Sequence, residues 1–487
     1  MNEQTLVSKV WNYAHVLRDD GVAYGEYVSQ ISYLLMLKMD EERVENLNQP
    51  SDLPEDCRWS VLRDLTGEAL DVRYKAILAK LARQDGFVGV VFLKAESQIN
   101  DPAKLRRLVS LIDSETWLGI GVDVKGALYE GLLERNAGEV KSGAGQYFTP
   151  RPLIQAIVEV VDPSPGQTVG DPACGTGGFL IAAYEHMKGK PGARDRRMQE
   201  RLRDGTFFGL DIVPDVVRLC AMNLYLHGIG GKTSPVTQAD ALLKDTGLRV
   251  DVVLANPPFG RKQSFRIVNE EGGIETERQD YYRQDFTVTT SNKQLNFLQH
   301  IMNMLKPGGT AAVVLPDNVL FEGGGGERLR EKLLKNFDLH TVLRLPTGIF
   351  YKQGVKANVL FFDKPAGAAA HGSDRVWFYD LRTNKSFTLR ERPLVRADLD
   401  DFVACFKTGK RHKRVASERF RSYDAQELLA RDKVNLDLFW LKDANADDPD
   451  SLPPPDEIAE EIVENLETAL AKFRRVAAEL AKLRAVD

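Results

Sequence analysis

With 487 residues the chain is too long for one hydrophobic core, and two or three domains are expected. Its 43% hydrophobic and 28% charged residues are ordinary for a globular protein. No apolar run reaches membrane-span length, and the opening MNEQTLVSKVW is no secretory signal. The formal net charge of −5 argues against a protein that grips duplex DNA unaided, since phosphate neutralisation dominates such affinity; a partner or a local basic face must then supply the grip. Cys57, Cys174, Cys220 and Cys405 are scattered without a CxxC pair, which predicts free thiols in a reducing cytoplasm and no zinc site.

From Thr5 to Asp123 the pattern is helical. VSQISYLLMLKMDEERVENL carries apolar residues at helical spacing and runs into a charged face; YKAILAKLARQ and LRRLVSLID follow. Residues 1–123 are therefore expected to form an all-helical N-terminal domain. A second domain is expected over 124–370, in which, between about Pro150 and Asp363, helices alternate with short apolar runs: QTVGDPAC, TFFGLDIV, DVVLANPPF, GTAAVVLPD and ANVLFFDKP. Between them lie LIQAIVEVV, VPDVVRLCAMNLYLHG and QLNFLQHIMNMLKPGG. The alternation predicts an α/β domain with a doubly wound parallel sheet and ligands at the strands' carboxyl ends. The polar stretch 261–292 is long for a connection, so a functional loop or lid is expected. Gly323–Gly326 reads as a flexible hinge before ERLREKLLKNF.

An extension over 371–450 precedes a terminal helix at 451–487, entered through Pro453-Pro454-Pro455. Ile462, Leu466, Ala469, Phe473, Val476, Leu480 and Leu483 alternate spacings of four and three, a heptad seam suited to pairing with another chain.

The strongest chemical signal is Asn256-Pro257-Pro258-Phe259, after the run DVVLA. Two prolines cannot continue a strand and hold the backbone extended. An amine conjugated to a base is a poor nucleophile. Hydrogen bonds from its N–H groups to the Asn256 side-chain oxygen and the Pro257 carbonyl would localise its lone pair and aim it at a methyl donor. Phe259 would offer a flat face to a base flipped from the duplex, stacking worth roughly 1–3 kcal/mol.

The second signal is the turn Asp171-Pro172-Ala173-Cys174-Gly175-Thr176-Gly177-Gly178, between an apolar run and the helix FLIAAYEHM. It lacks both the G-x-G-x-x-G spacing and a P-loop lysine. A glycine turn led by an acid suits a cofactor with an amino-acid end, its ammonium on Asp171; Cys174 is a small neutral filler. Asp211, closing the second run, stands where a ribose is bound, and Asp240, after the third, is placed to receive an adenine amine. Either acid alone reads equally as a helix cap or loop end. Upstream, Thr149-Pro150 suits a helix start before Arg151, and the aromatic pair Tyr147-Phe148 after Gln146 is available to pack on a cofactor.

Together these segments resemble the N6-adenine DNA methyltransferases, and within them the modification subunits of type I restriction–modification systems. The resemblance spans nearly the whole chain through QYFTPRPLI, DPACGTGGFL, NPPF, LPDNVLFEGG, LPTGIFYKQGVKANVLFF and VNLDLFWLKD, in the family's order. It implies a Rossmann-like class I methyltransferase domain and S-adenosyl-L-methionine held by Gln146 to Arg151, Thr176 to Gly178 and Asp211. It implies a target adenine held by Asn256, Pro257 and Phe259. It also implies DNA as substrate, two copies on one specificity subunit docked through the C-terminal coiled-coil helix, and in some assemblies a motor–nuclease restriction subunit.

Three rivals stand beside this reading: an amino-methyltransferase for cytosine N4, a protein glutamine or a ribosomal guanine; a non-catalytic assembly subunit; and a nuclease built on Asp123, Glu139 and Lys141, which sit in helix and loop where paired strands are needed.

Overall fold

The computed structural model describes residues 26–48, 50–117, 149–231, 233–259, 264–268, 274–278, 281–350, 354–367, 372–389 and 391–441, with a few isolated positions towards each end. Asp123, Glu139, Lys141, Gln146, Tyr147 and Phe148 lie outside these residues. So does the C-terminal seam except Leu466, which is helical and 62% exposed.

The N-terminal helices Tyr27–Leu47, Gly67–Leu81, Gly86–Val91 and Pro102–Asp113 share one core. Tyr27–Leu47 runs through its middle, with Ile31 and Tyr33 to Leu37 all buried, as befits a helix apolar on most sides. The charged end of this helix is solvated only in part, with Glu45 exposed and Glu41 half-buried. Asp40 and Glu42 are buried, and Glu42 accepts the Trp117 backbone N–H at 2.9 Å. Arg43 is buried too, and donates to Asp52 and to the Tyr225 hydroxyl at 2.6 Å each. Burial is tolerated because each charge finds a partner. Tyr225 belongs to the helix Pro214–Leu226 of the α/β part, which adds Leu219, Ala221 and Met222 to the same core. The helical part and the α/β part are thus packed together, with Phe87 stacked on Tyr225 at 5.6 Å.

The α/β part is a nine-stranded sheet. Its strands are β1 (Val169–Asp171), β2 (Phe207–Asp211), β3 (Val236–Gln238), β4 (Val250–Ala255), β7 (Leu305–Pro316), β8 (Asp338–Leu345), β9 (Ala357–Asp363), β10 (Arg375–Asp380) and β11 (Phe420–Asp424). A separate antiparallel hairpin is formed by β5 (Ser264–Val268) and β6 (Ile274–Arg278). The spatial order is β11-β10-β8-β9-β7-β4-β1-β2-β3. β1 is parallel to β2 and β4, β2 to β3, β4 to β7 and β8 to β10; β9 runs against β7 and β8, and β11 against β10.

Strand residues alternate between two cores. Val252 and Leu254 face one, Val253 and Ala255 the other; Ala312 and Val314 oppose Ala311, Val313 and Leu315. Both faces are covered, so these strands read as continuous apolar runs.

Two local expectations are corrected. The glycine run is not a hinge: Gly324 adopts positive φ as the N-cap, and Gly325 and Gly326 already belong to the helix Gly325–Asn336. The helix expected over 294–309 ends at Met304, and Lys306 to Gly309 lie in β7, in the irregularity between Leu305 and Thr310 where its register against β4 shifts. β8 escapes an apolar-run search because His340, Thr341 and Arg344 are polar yet buried. Arg344 is held there by Asp437 and Asp317. The 261–292 stretch contains the β5–β6 hairpin, and its return is pinned to the helix Lys293–Met304. Gln299 bonds both the N–H and the carbonyl of Val288, and Asn296 donates to the Thr290 carbonyl. No helix among the described residues is long and apolar enough to cross a membrane.

Candidate functional site

From β1 the chain winds outward to β2 and β3, then crosses back to β4 on the other side of β1. That reversal opens a crevice at the carboxyl ends of β1 and β4, where ligands bind in open α/β sheets. The register sets Gly170 beside Val253 and Asp171 beside Gly209. Asp171, Asp211 and Asn256 therefore emerge at one edge of the sheet.

The turn after β1 is shaped by glycine at two points. Gly177 has φ +84°, and a Cβ there would lie 2.9 Å from Cys220 Sγ; a Cβ on Gly178 would lie 3.0 Å from Ile154 Cδ1. The first position needs a left-handed backbone and both need close approach. The helix Gly178–Lys188 follows. Asn223 buttresses the turn by donating to the Thr176 carbonyl at 2.9 Å. Around Gly175 the space is open. Cys174 and Cys220 are buried free thiols, and the Cys174 thiol is held neutral by its Cys220 neighbour and by burial.

The three acids differ in surroundings. Asp171 is buried, accepts the Ala173 N–H at 3.0 Å, and is pushed up to about 8 by burial, with the nearby Asp211 carboxylate adding to the effect. Asp211 accepts N–H groups from Val213 at 3.0 Å and Gly175 at 3.3 Å, tying β2 to the glycine turn; burial raises its pKa as well. Asp240 accepts the Leu242 N–H at 2.8 Å. Ile212, Val213 and Leu243, beside these acids, are exposed apolar residues.

Across the crevice, Asn256 donates from Nδ2 to Thr149 Oγ1 at 2.8 Å. Thr149 thus does not cap the following helix. Pro150 is the N-cap of Arg151–Val161, and the Thr149 hydroxyl is turned to Asn256 instead. Pro257 is buried and Pro258 exposed. Phe259 is 7% exposed and packs on Phe350 with ring planes 77° apart and centroids 5.8 Å apart.

The sequence profile of the N-6 DNA methylase family matches residues 121–435, and that of the HsdM N-terminal domain matches residues 6–112. The methylase subunit of the type I restriction enzyme StySPI from Salmonella potsdam is 38% identical, over 99% of this chain and 96% of its own.

The chain belongs to the methylase subunits of type I restriction enzymes.

Among solved structures, the EcoKI M protein superposes with TM-score 0.54 at 33% identity, covering 98% of this methylase and 96% of itself; the EcoKI methylase subunit is that of Escherichia coli K12. A chain from a type I restriction–modification system, solved for complex assembly and conformational transition, reaches TM-score 0.72 at 27% identity with 99% of both chains covered.

Sequence reasoning missed several residues around the methylase's crevice. Phe350 against Phe259 and Asn223 under Thr176 are examples. Another group joins the hairpin's return to the Asp240 turn. Tyr281 faces the Asp240 carboxylate within hydrogen-bonding reach, and Arg283 donates to the Ala241 carbonyl at 3.0 Å. None of these sits in a motif; only the apolar–aromatic pattern of GIFYKQG, already noted as a family segment, hinted at Phe350.

Proposed function

We propose that this methylase transfers the methyl group of S-adenosyl-L-methionine to N6 of an adenine turned out of duplex DNA, in the cytoplasm. One observation carries the reading: Asn256-Pro257-Pro258-Phe259 and the Gly175–Gly178 turn close the neighbouring parallel strands β4 and β1 at a single sheet edge. Adenine as the target follows the family to which the chain belongs.

The crevice suits that cofactor chemically. Three acids stand at or just past the ends of successive strands, for an ammonium (Asp171), a ribose diol (Asp211) and a ring amine (Asp240). Ile212, Val213 and Leu243 give apolar surface for a purine, and the open space at Gly175 admits a ligand to the backbone. Gln146 to Arg151 would complete the pocket. When bound, the cofactor supplies an electrophilic methyl group on a sulfonium.

The chain's own residues prepare the nucleophile. Thr149 takes the Asn256 Nδ2, which turns Oδ1 the other way, toward an acceptor role. Oδ1 and the Pro257 carbonyl receive the amine's two N–H groups, drawing its lone pair out of ring conjugation. The prolines keep both acceptors from shifting as charge develops, and Phe259 closes the apolar side of the base pocket.

The net charge of −5 supports delegation of DNA recognition to a specificity subunit, with two methylase subunits on each and a motor–nuclease subunit joining for restriction. The structural relative solved for type I complex assembly and the sequence relatives that are subunits of restriction enzymes point the same way.

The test is radiolabelled methyl transfer by the methylase–specificity complex, followed by nucleoside analysis of the product. N6-methyladenine is expected, and Asn256→Ala should lower turnover by roughly two to three orders of magnitude with cofactor binding little changed. N4-methylcytosine, or full turnover by the variant, refutes the proposal.

A further inference from the structure

The strand β4 delivers the chain to Asn256–Phe259, the β5–β6 hairpin leaves the sheet edge, and the chain returns at Tyr281. That return lands on the turn that carries Asp240. Tyr281 is buried in a small cluster with Leu210, Ala241, Leu242 and Phe297, a cluster that includes residues flanking both Asp211 and Asp240. Two residues on, Arg283 is fixed on every side. It holds Asp285 by two hydrogen bonds of 2.9 and 2.6 Å and lies 4.1 Å over Phe286. It also donates to His300 Nδ1 at 3.2 Å and to the Ala241 carbonyl at 3.0 Å. His300 is buried and its pKa is depressed to about 4, by burial first and Arg283 second, so its ring is a neutral acceptor for the guanidinium. From the other side, Tyr281 bridges to Thr290, whose carbonyl is held by Asn296.

We infer that Tyr281 and Arg283 are positioning residues for the cofactor's adenine: Arg283 fixes the backbone of the turn through the Ala241 carbonyl, and the Tyr281 hydroxyl orients the Asp240 carboxylate toward the ring amine. The inference deepens the proposed function and rests on its assignment of Asp240. Its physical basis is simple. A carboxylate on a half-buried turn rotates freely unless a second donor holds it, and a buried tyrosine hydroxyl is a rigid donor whose ring is already immobilised by packing. Burial and the adjoining carboxylate push Tyr281 up to about 12, so the donor proton is retained at all working pH values. The same two residues form one foot of the hairpin whose other foot is Asn256–Phe259, so cofactor and base pockets share a support.

The discriminating substitution is Tyr281→Phe, which deletes one oxygen and keeps the packed ring. With the full-length methylase in complex with its specificity subunit, KM for S-adenosylmethionine should rise about five-fold, the scale of one hydrogen bond, with kcat within two-fold. The preference for S-adenosylmethionine over its hypoxanthine analogue, which lacks the ring amine, should shrink in step. Arg283→Lys keeps the charge but loses the fork, and should shift KM and the analogue preference the same way. Asp240→Ala separates the two levels. If it abolishes the analogue preference while Tyr281→Phe and Arg283→Lys leave both KM and preference at wild-type values, the positioning role is overturned and the Asp240 assignment survives. If Asp240→Ala itself changes neither quantity, both fall.

Discussion

Asn256 Nδ2 donates to Thr149 Oγ1 at 2.8 Å, so a residue just ahead of the helix Arg151–Val161 sets the roll of the amide at the end of β4. The two lie 107 positions apart in the chain. The glycine turn joins them indirectly, because Gly178 packs on Ile154 of that helix.

Thr149→Val is isosteric and removes only the acceptor. The Asn256 amide then loses its orientation, and turnover should fall about five- to ten-fold, the worth of one hydrogen bond, with KM for the cofactor nearly constant. Thr149→Ser should restore most of the rate. Single-turnover methyl transfer reads both; equal rates for Val and Ser would remove the hydroxyl from any orienting role.

Asp171 carries its proton up to about pH 8 in the folded chain, against an ordinary value of 3.8. Between those pH values the native state binds one more proton than the unfolded state, so this group's contribution to stability declines as pH rises through the window and levels off above it. An ammonium beside Asp171 favours the ionised carboxylate, so cofactor binding at pH 7 should release about one proton. Calorimetry in buffers of different ionisation enthalpy measures that proton. The wild type should show a buffer-dependent heat and Asp171→Asn should not; identical heats in all buffers for the wild type would exclude Asp171 as the ammonium's partner.

Gly177→Ala meets a positive φ and a Cys220 sulfur at 2.9 Å. A loss of about 1–3 kcal/mol in stability is expected, together with weakened cofactor binding. Adding Cys220→Ala relieves the steric part alone, so the double variant should recover some stability and remain below wild type. Denaturant titration of the four proteins forms the cycle; a strictly additive result contradicts the contact.

Arg330 is fully buried and donates to four carbonyls, those of Val319, Glu322, Lys433 and Val434. It fastens the loop after β7 to the segment near Leu436. Arg330→Leu leaves these acceptors unmet in the interior, and a destabilisation of at least about 3 kcal/mol is expected from such groups. Thermal unfolding checks it, and a melting temperature within experimental error of wild type would mean the carbonyls find other donors.

Much of the fold was legible because two patterns are local. Five of the nine sheet strands described read as continuous apolar runs, since a strand covered on both faces, whether parallel or, as in β9, antiparallel, has no polar side to show. The turn at Gly175–Gly178 and the prolines after Asn256 announce themselves because no regular element accommodates them. The C-terminal strands and β8 were not legible. Arg344, His340 and Thr341 are polar, and only partners distant in the chain, such as Asp437, make their burial affordable.

The chain's order of residues determined that a glycine turn led by Asp171 and an Asn-Pro-Pro-Phe tetrapeptide both exist, and that each follows a buried strand. Steric rules on glycine and proline act within a few bonds, so neighbouring residues suffice to reveal them. Tertiary structure alone decided that the two stand side by side, because the crossover from β3 back to β4 sets strands more than seventy residues apart next to each other. It also decided that Thr149 serves Asn256 and no helix end, that Phe259 packs against Phe350, and that Tyr281 meets Asp240. Hydrogen bonds and ring contacts act over a few ångströms in space, and a one-dimensional pattern carries no record of which distant side chains the sheet brings within that reach.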